Sequence, residues 1–307
     1  KKDFFNKRPI DLKYLNIGAK IEWININSDF KIRIGAKVDY FDKPNLLTSK
    51  LRYYPNIYIE YNKNQKIIPY LISDGKLIMN SYSLSSQNNP FLAPIFKLKP
   101  TSRNYNSRIG LKSIIYSNIE FDFSVGYDDI ENFSLYRRLP YSLNRENYSY
   151  GLSNAYEIYY TDLSLLDFVL KFKLNFGNNN NFLFQAKYTS YNSKDNSPIF
   201  NLPSISMNFE GQINLTKRIN FYLTSKFLGD RDSTKWIYLL NEDPISSKYQ
   251  IKPLPIYYSL NLKVNYKLLD EFDLNATIEL NDRNGEWENF YRHKSLILLG
   301  ARYKFNL

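Results

Sequence analysis

Apolar and polar residues alternate along most of the chain. In the segment 202–215, the odd-numbered positions from Pro203 to Leu215 are apolar or glycine, and the even-numbered positions from Ser204 to Asn214 are polar. Because successive side chains of a β-strand point to opposite sides, this pattern predicts a strand with one apolar and one polar face. About thirteen segments repeat it, and we predict strands over 13–25, 30–41, 51–61, 65–80, 105–116, 119–128, 155–176, 182–191, 202–215, 219–228, 256–268, 272–281 and 295–305.

Strand length and connection length both indicate a membrane barrel. Most of the predicted strands have about ten to fourteen residues, whereas ordinary strands have about 5–6 and tilted membrane strands about 9–11. Short turns are predicted at 26–29, 62–64, 116–118, 177–181, 216–218 and 269–271. Longer loops alternate with them at 42–50, 81–104, 129–154, 192–201, 229–255 and 282–294. Short turns at one rim and long loops at the other are typical of an up-and-down transmembrane barrel.

A soluble β protein is the alternative, since it would bury the same apolar face. Only 11 glycines occur in 307 residues, fewer than the frequent turns of a sandwich favour. Thirteen long strands closed in water would enclose a lumen too wide for side chains to fill. Aromatic residues lie near both strand ends, as with Trp23 and Tyr40, and predict two interfacial girdles. We therefore predict an all-β, antiparallel up-and-down transmembrane β-barrel of the bacterial outer membrane, with its apolar face toward lipid.

Three hairpins with three-residue turns give a test of strand register. Each can be aligned so that apolar residues face each other and opposite charges meet across the ladder. A slip of one residue would turn lysines toward lipid, at about 2–4 kcal/mol each near the midplane. The predicted pairs are Ile115 with Ile119, Lys112 with Asp122, Leu268 with Phe272, Lys267 with Asp273, Ile59 with Ile67 and Glu60 with Lys66.

Strand parity predicts that the barrel is larger than the thirteen strands seen. The last strand, 295–305, follows a long loop and ends on the short-turn side. Counting back, the first strand starts on the long-loop side, whereas bacterial barrels have an even number of strands. We expect residues 1–307 to form a single barrel domain that lacks at least one upstream strand of a barrel of about fourteen or more.

Composition removes several kinds of chemistry. The chain has 41 basic and 30 acidic residues, a net charge of +11, no cysteine and one histidine. Thiol nucleophiles, cysteine zinc sites and multi-histidine metal sites are thereby excluded. His293 lies near Ser295 and Asp282, the residue types of a hydrolase, but sequence spacing shows no catalytic geometry. We predict an exposed loop histidine, no metal, no cofactor and no enzymatic activity.

Charged side chains fall on the polar face of the predicted strands, toward the lumen. One interpretation is a hydrated interior in which neighbouring strands neutralise each other, and the other is a basic pore that favours anions. The predicted lumen-facing charges are Lys20, Arg33, Lys37, Arg108, Lys112, Asp122, Lys171, Lys187, Glu210, Lys263, Lys267, Asp273, Glu279 and Arg302.

The long loops are rich in amphipathic aromatic residues, the type enriched at interaction hot spots. Tyr148, Tyr150, Trp236 and Tyr238 are predicted to contact partners, with packing against the barrel mouth as the alternative. Basic residues near the outer rim can contact lipopolysaccharide phosphates. Nucleic acid is not an expected partner, because acidic residues and lipid-facing aromatics interrupt the basic ones.

Several segments resemble a known family. They are 75–81 (GKLIMNS), 89–94 (NPFLAP), 98–104 (LKPTSRN), 109–112 (IGLK), 227–231 (FLGDR) and 299–305 (LGARYKF). Together they resemble plugless, TonB-dependent-receptor-like outer-membrane barrels of the Bacteroidota. The resemblance implies outer-membrane residence and folding through the barrel-assembly machinery, which would read the last strand at Gly300, Tyr303 and Phe305. Nothing in 1–307 resembles a plug domain or a TonB box.

Two functions stay open at this level. The first is a structural or accessory subunit that docks other outer-membrane or surface proteins through the long loops. The alternative is a solute transporter or pore of the receptor-like type, whose basic residues would favour anions. The mixed charge of the predicted lumen, and the lack of a plug-like segment in 1–307, favour the accessory subunit.

Overall fold

The computed structural model describes residues 16–27, 29–41, 51–63, 66–93, 98–139, 155–177, 180–239, 246–282 and 293–305. Thirteen strands form one antiparallel sheet in the order β1-β2-β3-β4-β5-β6-β7-β8-β9-β10-β13-β14-β15, and β11 and β12 form a separate hairpin. The sheet strands are β1 (Asn16–Ile26), β2 (Phe30–Phe41), β3 (Leu51–Tyr61), β4 (Ile67–Ile78), β5 (Thr101–Ile115), β6 (Ile119–Arg138), β7 (Tyr156–Phe176), β8 (Asn180–Ser193), β9 (Ile205–Asn214), β10 (Ile219–Leu228), β13 (Tyr257–Lys267), β14 (Phe272–Asn281) and β15 (Ser295–Tyr303). The hairpin strands are β11 (Arg231–Leu239) and β12 (Ser246–Leu254), and the helix is α1 (Tyr82–Asn88).

The fold class predicted from the alternation is confirmed, because each of the thirteen predicted strands is present and pairs with its neighbours in an up-and-down order. Within the described residues the outer edges of β1 and β15 have no partner strand, so these residues form a wall of thirteen strands. Further strands and a single-domain organisation stay predictions. No helix of the described residues is long and apolar enough to span a membrane.

The polar face of the wall is its concave face. On the inner side of a curved sheet, side chains from strands two apart converge and can touch across the strand between them. The Asn56 amide of β3 donates to Glu22 of β1 at 2.8 Å, across β2. Tyr70 of β4 donates to Asp122 of β6 at 2.7 Å, across β5. These contacts join polar residues, so the opposite, apolar face is convex.

The convex face carries large apolar side chains exposed to the surroundings. Ile21 and Leu299 are each 81% exposed, and Phe123 is 41% exposed. Apolar groups of that extent are stable in lipid rather than in water. Buried apolar clusters lie instead toward the long-loop end, where Phe41 packs with Tyr54 and Leu77. The lipid-facing assignment made from the sequence therefore agrees with the exposure pattern.

Two of the three predicted hairpin registers are confirmed. Ile115 lies opposite Ile119 and Lys112 opposite Asp122. Lys267 lies opposite Asp273, and the amide of Leu268 donates to the carbonyl of Phe272 at 3.0 Å.

The β3–β4 register was predicted wrongly. Glu60 lies opposite Tyr70, not Lys66, and Ile59 lies opposite Leu71, not Ile67. The ladder covers only 56–60 and 70–74. Pro55 and Pro69 stand just beyond its two ends, and a proline has no N–H to give to a ladder. The displacement is even, so each side chain keeps its predicted face.

Three regions predicted as loops contain regular structure. Residues 82–88 form α1, where Ser81 caps the helix by accepting from the Leu84 amide at 3.2 Å. Residues 129–138 continue β6 beyond a bulge between Ile130 and Phe133. Residues 231–239 and 246–254 form the β11–β12 hairpin. The wall therefore rises further on the long-loop side than the alternation predicts.

Candidate functional site: the concave wall and the outer loops

The centre of the concave face is a buried carboxylate held by two cations. Asp167 of β7 has a side chain only 2% exposed, and both its oxygens accept from Nη2 of Arg108, at 2.7 and 2.9 Å. The Lys187 ammonium lies 3.1 Å away. Arg108 reaches across β6 at Gly126, where an added Cβ would lie 2.6 Å from Asp167 Oδ1. Glycine is needed here because the ion pair occupies the space of a side chain.

A second cluster lies nearer the short turns. Glu60 contacts Lys31 at 2.8 Å and Lys112 at 3.5 Å, and its other bond comes from the Tyr58 hydroxyl. The Lys112 ammonium also stands 4.6 Å from the ring centre of Tyr70, within the range of a cation–π contact. The carboxylate thus bridges cations from β2 and β5.

A third cluster lies toward the long loops. Arg52 pairs with Glu131, and Arg103 with Asp128. Asp129 accepts from the Asn104 amide at 2.8 Å and lies 2.5 Å from the ammonium of Lys194. From β3 to β8 the concave wall is therefore charged, but its cations and carboxylates largely neutralise each other. This agrees with the first of the two interpretations of the lumen made from the sequence.

All fourteen predicted lumen-facing residues lie on this concave face. The register places Lys37 opposite Lys20, Lys171 opposite Asp122, Glu279 opposite Asn261 and Arg302 opposite Asp273. The remaining members are placed on the same side by ladder partners, as Arg33 by Tyr58, Lys187 by Ser206, Glu210 by Thr224 and Lys263 by Tyr222. That this face lines an aqueous lumen stays a prediction.

Sequence reasoning did not find the cross-strand contacts of Tyr70 and Tyr54. Both are buried on the concave face, and Tyr54 shares a 2.8 Å hydrogen bond with Ser102 across β4. Their signal in the sequence was the glycine on the strand that each ring crosses, Gly110 for Tyr70 and Gly75 for Tyr54. The girdle prediction covers aromatic residues near the strand ends and gives no role to aromatic residues on the polar face.

An aromatic cluster with one arginine lies at the long-loop ends of β6 and β7 and in the β11–β12 hairpin, and we call it the outer-loop cluster. The Arg137 guanidinium stands 5.4 Å from the ring centre of Tyr159, 5.8 Å from Trp236 and 5.9 Å from Tyr249. Its charge is balanced by Glu157 at 2.6 Å. The Trp236 indole donates to the carbonyl of Arg138 at 2.8 Å, which ties the β11–β12 hairpin to the end of β6.

The predicted loop contacts have different outcomes. Trp236 packs within the outer-loop cluster, as in the alternative of packing at the barrel mouth. Tyr238 pairs through its backbone with Ser247 in the hairpin. Tyr148 and Tyr150 lie outside the described residues. Partner contact by these residues stays a prediction.

The last strand has exposed aromatic residues at its end. The rings of Tyr303 and Phe305 meet edge to face with their centres 4.8 Å apart, and the two residues are 56% and 78% exposed. Gly300 lies opposite Asn275. The arrangement is accessible, and its recognition during assembly stays a prediction.

The loop after β8 is held by one carboxylate outside the spanning segments. Asp195 accepts from Ser193 Oγ at 2.5 Å, from Thr161 Oγ1 at 2.8 Å and from the amide of Ser197 at 3.1 Å. These hydrogen bonds lower the pKa of Asp195 well below its usual value. The carboxylate stays ionised at any ordinary pH and organises the turn between β8 and β9.

Other chemistry is sparse. In the described part of the chain no three histidine, cysteine, aspartate or glutamate side chains cluster so that they could hold a metal. His293 is exposed at the start of β15, and its carbonyl accepts from the Asn281 amide at 3.2 Å.

Comparison with known proteins places the fold among outer-membrane barrels. The chain is similar to the pyoverdine receptor FpvA of Pseudomonas aeruginosa PAO1 (TM-score 0.59, 10% identity), covering 95% of this chain and 42% of that one. It is similar to the transporter YddB of Escherichia coli (TM-score 0.60, 12% identity, 95% and 45% covered). It is also similar to the iron transporter FrpB of Neisseria meningitidis (TM-score 0.59, 12% identity, 95% and 45% covered).

The chain spans less than half the length of these structures. No protein-family model matches the sequence, and no curated protein matches it. The likeness shows a TonB-dependent-receptor-like barrel fold. Together with the apolar convex face, this fold agrees with the predicted localisation in the bacterial outer membrane.

Proposed function

We propose that the protein is a receptor-type outer-membrane transporter, which captures a solute at the long-loop side and passes it along the concave wall. The observation that carries the proposal is the likeness, over 95% of this chain, to receptors and transporters. Since two of these neighbours are a pyoverdine receptor and an iron transporter, an iron chelate is the first substrate class to test.

The accessory-subunit interpretation, preferred from the sequence, has less support. A docking subunit needs only its outer loops, whereas the polar wall here runs from Glu60, near the short turns, through Asp167 to Asp129, near the long loops. A polar interior of that extent suits a path for a solute. Binding of surface protein partners is compatible with the transport proposal, because the similar receptor FpvAI is known in a complex with pyocin S2.

Several finer expectations belong to this proposal. We expect no enzymatic activity, assembly through the barrel-assembly machinery by way of Tyr303 and Phe305, and contact of outer basic residues with lipopolysaccharide. An origin in the Bacteroidota rests on the sequence resemblance alone. The similar proteins support the barrel and leave these points as proposals.

Uptake by whole cells tests the function. Cells that lack the gene are compared with cells that carry it on a plasmid, and the accumulation of radioactive iron presented as different chelates is measured. We expect one chelate to enter only with the gene present. Equal accumulation in both strains, together with stoichiometric recovery of another outer-membrane protein during purification, would favour the accessory role.

A further inference from the structure

The charge balance of the concave face changes along the wall. From β3 to β8, cations and carboxylates lie in contact, as described above. At the short-turn ends of β10, β13, β14 and β15, a cleft of about 300 Å³ is lined by five cations and a single carboxylate. The cations are Lys217, Lys263, Lys267, Arg302 and Lys304, and the carboxylate is Asp273. We call this site the basic cleft.

The carboxylates at hand do not neutralise the basic cleft. Asp273 already accepts from Arg302 at 2.6 and 3.1 Å, and Lys304 stands 3.7 Å from it. Lys267 pairs with Asp270 of the turn at 2.7 Å. For Lys217 and Lys263, the described part of the chain contains no ion-pair partner. The cleft therefore keeps an excess positive charge, unlike the wall from β3 to β8.

Neutral donors complete the lining. The amides of Asn220, Asn265 and Asn275 and the hydroxyl of Tyr222 lie among the cations. The Asn275 amide lies over Gly300, where a Cβ would be 2.6 Å from its oxygen, so the glycine leaves room for it. Ammonium, guanidinium and amide donors converging on one cleft suit an anion with several oxygens.

We propose that the basic cleft binds a phosphate-bearing solute that carries at least two negative charges. A single carboxylate would leave much of the positive excess uncompensated, whereas a phosphate or pyrophosphate group matches it. Because the cleft is on the concave face, the sheet separates it from the bilayer, so the phosphate comes from a solute rather than from a lipid headgroup. The inference goes beyond the transport proposal, since binding at equilibrium does not depend on uptake.

Calorimetric titration of the purified whole protein in detergent, with pyrophosphate as the probe, tests the site. The variants are Lys263→Gln in the wall and Lys217→Gln in the turn. The matched control is Lys173→Gln, which removes a cation of the same face that is paired with Glu120 at 3.1 Å. We expect each cleft variant to lose affinity by about tenfold, the value of one charge-assisted contact of about 1.4 kcal/mol, and the control to keep it.

A salt titration and a fallback variant make the result decisive. Binding should weaken steeply as salt is raised, because exposed charges are screened. If Lys263→Gln does not fold, Lys217→Gln still reports, since the turn residue takes no part in a ladder. No saturable binding by the unchanged protein, or an equal loss in the Lys173→Gln control, would overturn the proposal.

Discussion

Removal of the Asp167 carboxylate is the sharpest test of the concave wall. Asp167→Ala leaves Arg108 and Lys187 side by side with no anion between them, and the side chains of the three residues are 2%, 18% and 33% exposed. Breaking a buried ion pair by removing one partner costs about 3–5 kcal/mol. Since both cations retain some contact with water, we expect a loss near the lower end, about 3 kcal/mol.

The same chain offers a matched control on the same face. Glu120 and Lys173 form an ion pair at 3.1 Å, with side chains 49% and 45% exposed. Exposed pairs contribute at most about 1 kcal/mol, so Glu120→Ala should change stability little. Guanidinium unfolding of the protein in detergent, followed by tryptophan fluorescence, measures both free energies of unfolding.

A combined variant separates charge from packing. In Asp167→Leu with Arg108→Met, the Arg108–Asp167 pair is replaced by apolar residues, which is often close to neutral, and only the partly exposed Lys187 loses its carboxylate partner. We expect this variant to unfold with a smaller loss than Asp167→Ala. If Asp167→Ala and Glu120→Ala lose the same free energy, the interpretation of the wall as a buried, self-neutralised network is wrong.

Three other predictions follow from single contacts. Gly126→Ala should destabilise the protein, because its Cβ would lie 2.6 Å from a carboxylate oxygen, and the unfolding midpoint in detergent measures the loss. Folding lowers the pKa of Asp195, so the stabilisation by its carboxylate is present above about pH 4 and falls as the pH drops further. Limited proteolysis of the loop after β8 should therefore become faster only in acid. In Asp195→Ala this acceleration in acid should be absent. Trp236→Phe removes the hydrogen bond to the Arg138 carbonyl and should destabilise the β11–β12 hairpin by about 1 kcal/mol, measured as faster limited proteolysis of the hairpin. An unchanged rate would show that ring packing alone holds the hairpin.

Most of the sheet could be predicted from the sequence, because one rule sets each strand. Alternation over ten or more residues defines both the element and its two faces, as in the segment 202–215. The charged residues of the concave face could also be predicted, since the face of each residue is fixed once the period is known. The β3–β4 register did not follow, because the predicted charge pair of Glu60 with Lys66 was outweighed by two prolines that end the ladder.

The missed elements had weak or mixed signals. The β12 segment does alternate, with Lys248 and Gln250 on one side and Tyr249 and Ile251 on the other. Its proline at 253 and the uneven pattern of β11 made the region resemble a loop. Helix α1 has only seven residues and no apolar period, so its Ser81 cap was the single local sign.

The contacts across strands required a third kind of information, namely which inward position is a glycine. Four glycines of the concave face each lie beneath a polar contact that joins the strands on either side, because only a residue without Cβ leaves room for it. The contacts are Glu22 to Asn56 over Gly35, Tyr54 to Ser102 over Gly75, Tyr70 to Asp122 over Gly110, and Arg108 to Asp167 over Gly126. In the sequence, the scarcity of glycine served only as an argument against a sandwich. The positions of the few glycines also indicate where side chains make contacts across a strand. These four inward glycines mark where polar contacts join strands two apart, and substitution there should disturb the polar network before it disturbs the ladder.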